Sequence, residues 1–180
     1  LKFKDKLKSD KFIITAELFP PKGTDISGFL KRASYLQGNV DAVNVTDNQR
    51  ASMRVGSLAM SKLLLDMGIE PVMQMTCRDR NRIALQSDLL SANVLGIENV
   101  LILSGDHPNA GEYAGTKTVY DLDTIQLIKT ARLLESGIDL AGKKLQGSPQ
   151  FCLGAVVNPS AEPNDLQVLM FEKKINAGAE

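Results

Sequence analysis

The feature that most constrains this chain is an alternation: short apolar, β-branched runs separated by longer amphipathic stretches, repeated five times. The runs are Phe12–Leu18, Ala42–Thr46, Pro71–Thr76, Val100–Ser104 and Phe151–Val157. They are mostly apolar at successive positions, as strands covered on both faces are. Between them the spacing predicts helices over Ile26–Leu36, Ala51–Met67, Asn81–Leu95, Leu122–Ser136 and Asp165–Ala177. In the second, Met53, Ser57, Met60, Leu64 and Met67 recur at the spacing of one helical stripe. Gly68 and Gly96 stand just past helix ends, where a left-handed residue is favoured. Asp79 and Asp121 precede the third and fourth helices and are expected to cap them.

Strict βα alternation implies a parallel sheet, either open and doubly wound or closed as a barrel. A nucleotide-binding open sheet carries a Gly-rich turn after its first strand. Here the first strand runs into Glu17-Leu18-Phe19-Pro20-Pro21, with no GxGxxG. Polar residues gather instead at the carboxyl ends of four runs, as Thr15 and Glu17, Asn44 and Thr46, Gln74 and Thr76, Ser104 and Asp106. Members of each pair are two residues apart, so in an extended chain both point to one face. Polar pairs converging on one rim are the layout of a barrel active site.

The expected fold is therefore α/β, a (β/α)8 TIM barrel, with residues 1–180 forming a single barrel domain. Eight units need about 250 residues, so the chain is expected to represent the first five. A sixth strand would begin at Gly178-Ala179-Glu180, which makes the expected domain C-terminally incomplete.

Composition narrows the function classes. Hydrophobic residues make up 43%, enough for a core, and Lys+Arg equals Asp+Glu at 21 each. A balanced surface gives no electrostatic footprint for nucleic acid or an anionic membrane. Cys77 and Cys152 are far apart and His107 is the single histidine, so neither a disulfide framework nor a metal site is expected. With no signal peptide and no apolar run near the roughly 18 residues of a membrane span, the expected location is the cytoplasm.

Thr15-Ala16-Glu17-Leu18-Phe19-Pro20-Pro21-Lys22 resembles the first-strand signature of methylenetetrahydrofolate reductases. Asn44-Val45-Thr46 with Asp47-Asn48 resembles that family's second-strand end, and Gln74-Met75-Thr76-Cys77 its third, with Gln74 where many members have His. Leu103-Ser104-Gly105-Asp106 is similar to the fourth-strand end, and Lys174 with Ala177-Gly178-Ala179 to the helix before strand six. The matches run in order along nearly the whole chain, closest to the bacterial and archaeal single-barrel reductases.

The resemblance implies flavin-dependent reduction of 5,10-methylenetetrahydrofolate to 5-methyltetrahydrofolate, in one-carbon metabolism and methionine biosynthesis. It implies Glu17 as the catalytic acid and Asp106 as a carboxylate near pterin and flavin, with Glu17 kept protonated by burial or by a like-charged neighbour such as Asp106. Thr46 and Gln74 would hydrogen-bond the flavin ring or ribityl chain, and Lys174 its phosphates. Ser104 and Gly105 would flank the cofactor, and Asn158 stands about where other members have a Tyr near the flavin. Ser104 replaces a family Arg that helps bind the dinucleotide portion, so FMN stands beside FAD as the implied cofactor. The implied partners are methylenetetrahydrofolate and either NAD(P)H or an electron-carrier subunit, with a homo-oligomer left open. The Gly-rich stretch His107–Tyr120 reads as a mobile loop over the cofactor. The Arg78-Asp79-Arg80-Asn81-Arg82 run reads as phosphate-facing or, alternatively, as a helix start whose charges neutralise one another. Two other readings stay open: a non-catalytic or regulatory barrel remnant, and a pterin-binding methyltransferase-type barrel.

Overall fold

A computed structural model describes residues 2–180. Five strands, β1 (Thr15–Leu18), β2 (Ala42–Val45), β3 (Pro71–Thr76), β4 (Asn99–Leu103) and β5 (Cys152–Ala155), form one sheet in sequential order, every pair parallel. The helices are α1 (Phe3–Leu7), α2 (Ser27–Leu36), α3 (Ser57–Asp66), α4 (Arg82–Val94), α5 (Thr124–Glu135) and α6 (Asn164–Ala177). Parallel crossovers are right-handed, so strands added always on the same side send their helices to one face. A doubly wound sheet would reverse direction; this one does not. The architecture is that of a (β/α) barrel, with five βα units in this chain.

Side-chain parity separates the two faces. Leu18, Val43 and Val45 pack on Phe29 and Ala33 of α2 and on Met60 and Leu64 of α3. Met73, Met75, Val100, Ile102 and Leu153 pack on Leu85 and Leu89 of α4 and on Leu127, Ile128, Ala131 and Leu134 of α5. The opposite face carries the register row Glu17, Asn44, Val72, Asn99 and Cys152. Helix α1 closes the amino end of this face, where Phe3 packs on Ala42 and Val72. Lys2–Glu98 at 2.6 Å and Lys6–Asp41 at 3.0 Å tie it down. On the other side of the sheet, the amide of Glu180 donates to the Leu153 carbonyl at 2.7 Å, the first hydrogen bond on the outer edge of β5.

Several boundaries differ from expectation. Helix α3 begins at Ser57, not Ala51, because residues 48–51 turn through the left-handed region and 52–56 run extended against the β1 loop. There Val55 N donates to Pro21 O and Arg54 Nη1 to Pro20 O, both at 2.9 Å. Met53 is consequently exposed and off the stripe. The caps of α4 and α5 are Asn81 and Asp123, two residues beyond the acids expected. Asp79 and Asp121 pair instead with Arg78 and Arg82. Strand β1 starts at Thr15, leaving Phe12 and Ile14 exposed before it. Gly68 and Gly96 do take φ of 74° and 85° just past their helices.

Candidate active site

The carboxyl rim is built by strand parity. Glu17 and Gln74 lie on the barrel-interior face of β1 and β3, and Gln74 Nε2 donates to Glu17 Oε2 at 3.1 Å. That bond leaves Glu17 Oε1 without a partner among the described residues, and the side chain is exposed rather than buried as expected, because it lies at the open rim of β1. Thr46 is buried one step beyond β2, and its Oγ1 has no hydrogen-bond partner among the described residues. Asn44 Nδ2 bridges back to Ala16 O at 3.4 Å, holding β1 and β2 together below it.

A cleft of about 340 Å³ opens over β3, β4 and β5, within the roughly 300–1,000 Å³ of small-molecule sites. It is lined by Gln74, Ser104, Gly105, Asp106, Asn158 and Lys174, six of the residues expected from sequence. Glu17 joins it through Gln74, whereas Thr46, expected beside the cofactor, is not among the residues that line it. Lys174 Nζ donates to Val156 O at the β5 end of the cleft, and Asn158 is exposed beside it.

The β4 pair does not share the interior face as expected. Ser104 follows the parity of Val100 and Ile102 toward the helix layer, where its Oγ lies 3.0 Å from Thr124 Oγ1 at the start of α5. Beyond it the chain turns through Gly105, whose carbonyl accepts from Tyr120 Oη at 3.3 Å. Asp106 is exposed, and its Oδ2 accepts from the Arg50 amide at 2.9 Å. His107 Nδ1 accepts from Asn109 N and caps a short 3₁₀ turn over Pro108–Ala110. Val119 N donates to Arg78 O at 2.8 Å, so the 107–120 loop is tethered at its far end.

Two further residues line the cleft that the sequence named only within a motif or a charged run, without a role of their own. Asp47 has a fully buried side chain, whose carboxylate accepts from Thr76 N, Thr76 Oγ1 and both terminal nitrogens of Arg80. Burial disfavours the Arg80 charge, but Asp47 and Asp88 outweigh it and raise its pKa. Arg78, 3% exposed at its side chain, has its pKa raised by the hydrogen bond to Asp79. Burial pushes the Asp79 carboxyl up, yet the Arg78 hydrogen bond and charge bring it below its ordinary value. Within the 78–82 run only Arg78 pairs with a neighbour, Asp79; Arg80 meets Asp47 and Asp88, and Arg82 meets Asp121, all from outside the run. An acid two residues past the end of β2 and an Arg two residues past the end of β3 was the available signal.

Among the described residues no cluster of three or more His, Cys, Asp or Glu is arranged to hold a metal, and no helix is long and apolar enough to cross a membrane.

A parallel (β/α) sheet with a polar cleft at the carboxyl ends of its strands defines a barrel of the kind that works at that rim. The chain belongs to the methylenetetrahydrofolate reductase family, whose profile, described as Methylenetetrahydrofolate reductase, matches residues 2–180. A Caenorhabditis elegans protein described as "Probable methylenetetrahydrofolate reductase (NADPH)" is 29% identical over 142 residues, covering 74% of this chain and 21% of that protein. The chain thus spans about a fifth of the length of that curated relative.

Proposed function

We propose that this chain is the catalytic rim of a flavin-dependent reductase converting 5,10-methylenetetrahydrofolate to 5-methyltetrahydrofolate, with Glu17 as the acid. The observation that carries the reading is the Gln74–Glu17 hydrogen bond, because Gln74 also lines the cleft. One amide thereby ties the family's acid to the cofactor-sized space.

The residues suit a flavin. Thr46 offers a buried hydroxyl with no partner among the described residues, the kind of group that needs a ligand or water to complete it. Gln74 and Asn158 are neutral hydrogen-bonding groups fitted to a heterocycle or a ribityl chain, and Lys174 supplies a cation at the far end for phosphate. Bound there in reduced form, the flavin supplies hydride. FAD is the cofactor of this reading, with FMN distinguishable by releasing the bound cofactor and chromatographing it. Electrons enter from NAD(P)H or from an electron-carrier partner.

Opening the folate's five-membered ring puts a proton on the departing nitrogen, and the carbon left as an iminium then accepts hydride. Gln74 donates to Glu17 Oε2, which leaves Oε1 as the oxygen that would deliver the proton. Asp106 keeps Oδ2 on the Arg50 amide and presents Oδ1 to the guanidine-like edge of the pterin.

The test uses full-length protein. Its visible spectrum should be that of a flavin, bleached by dithionite and restored by methylenetetrahydrofolate. Glu17→Gln should slow the folate step by about a hundredfold or more, the usual weight of a general acid, while bleaching is unchanged. A colourless protein that also refuses added FAD and FMN would sink the proposal, and equal loss of both half-reactions would move Glu17 to a structural role.

A further inference from the structure

Arg78 has no part in the chemistry above, yet three loops of the rim meet on its guanidinium. Its Nη1 donates to the Asp106 carbonyl at 2.9 Å and its Nη2 to the Asn48 carbonyl at 3.0 Å. Its Nε and Nη2 also engage Asp79, at 2.7 and 2.8 Å. The loops that follow β2, β3 and β4 are thereby joined at one buried group.

The loop after β2 is strained. Asn48, Arg50 and Ala51 have φ of 46°, 55° and 50°, a region that residues other than glycine hold only when their surroundings force them. Three contacts do so here. Arg78 holds the Asn48 carbonyl, the Asp106 carboxylate accepts from the Arg50 amide at 2.9 Å, and the Arg50 carbonyl abuts Gly111, where an added Cβ would lie 2.0 Å away. Arg78, residues 48–50 and Asp106 therefore form a closed hydrogen-bonded circuit.

We infer that Arg78 is a positioning residue, holding Asp106 and the left-handed 48–51 turn in fixed relation so that the free oxygen of Asp106 meets the substrate at a set place. The catalytic consequence rests on the reductase reading; the clamp itself does not. The Arg78 fork makes four hydrogen bonds from three separate nitrogens to two carbonyls and a carboxylate, and a lysine ammonium, with three donors on one nitrogen, cannot reproduce that spread.

Two measurements on the full-length protein test this. In amide hydrogen exchange, Arg78→Lys should speed exchange at the Arg50 amide by roughly five- to tenfold, as loss of one net hydrogen bond implies. Amides of β3 and α4 should keep their protection. Asp106→Ala, which removes the acceptor and leaves Arg78 in place, should speed Arg50 alone, and so serves if Arg78→Lys does not fold. Unchanged Arg50 exchange in a folded variant overturns the clamp.

The second measurement is flavin reoxidation by methylenetetrahydrofolate after dithionite reduction, in Arg78→Lys, Asp106→Asn and the double variant. If Arg78 acts through Asp106, the double variant is no slower than Asp106→Asn, and Arg78→Lys alone is slower than wild type by about tenfold to a hundredfold. Multiplied losses, or a wild-type rate in Arg78→Lys, overturn the positioning role. Wild-type protein that folate does not reoxidise defeats the reductase reading instead, and the exchange experiment then decides the clamp by itself.

Discussion

Thr46 buries a hydroxyl with no hydrogen-bond partner among the described residues, one step beyond β2. A buried, unsatisfied polar group costs stability because its hydration is lost and nothing replaces it. Replacing the hydroxyl by a methyl of similar size should therefore stabilise the free protein. Thr46→Val is expected to raise its unfolding free energy by about 1 kcal/mol, read from urea denaturation, and to weaken flavin affinity by about tenfold, read from fluorescence quenching. A variant less stable than wild type would mean that Thr46 Oγ1 has a partner in solution. Tighter flavin binding would remove Thr46 from the cofactor site. The same contrast between a group's cost to the apo fold and its use in the site applies to the left-handed 48–51 turn, where backbone strain is held by the Arg78 circuit.

The helix ends show what short elements require. Asp123 accepts from Gln126 N at 2.7 Å while its own amide donates to Gln126 Oε1 at 2.8 Å, a reciprocal capping box at the start of α5. Asp123→Ala is expected to cost about 1 kcal/mol, seen as a lower urea midpoint with an unchanged slope; no shift would mean that the α5 amides find another partner. Sequence spacing put this cap at Asp121, because local pattern cannot choose between two acids two residues apart, and the choice fell to the Arg82 pairing across 39 residues. Strand β3 was legible to the residue, since Pro71 opens it and the polar Gln74 and Thr76 mark its interior parity. Helix α3 was misread at its start because Met53 continues the apolar period through a segment that the β1 loop holds extended. In the site, Glu17 and Gln74 were legible because period-2 alternation places side chains directly. Ser104 was not, because it keeps the helix-facing parity of β4. Asp47 and Arg78 owe their roles to partners on other loops, which no local pattern encodes.

At both ends of the sheet several carboxylates meet cations. At the carboxyl rim, the hydrogen bonds from the Arg82 side chain and backbone hold the Asp121 carboxyl down to about 2. Toward the amino end, Asp41 is lowered by the Ile14 amide and by Lys6. Burial pushes the Glu180 carboxyl up, but Arg132 and Lys4 bring it below its ordinary value. The thiols move the other way, since burial raises Cys77 to about 11 and also raises Cys152. A carboxyl depressed in the fold stabilises it fully above the unfolded value near 3.8, and that contribution is lost as pH falls toward about 2. A thiol raised in the fold favours the folded state below the unfolded value near 9.0, an advantage lost as pH rises toward about 11. Urea midpoints measured against pH should therefore decline on both sides, acidward through the carboxylate window and alkaline through the thiol window. The alkaline limb isolates Cys77, because Cys77→Ala removes its titration while the carboxylate limb stays in place. An alkaline decline of undiminished steepness in Cys77→Ala would show that other groups drive it, and an acid limb lying wholly above pH 4 would show that the rim carboxylates are not held by their arginine and amide partners.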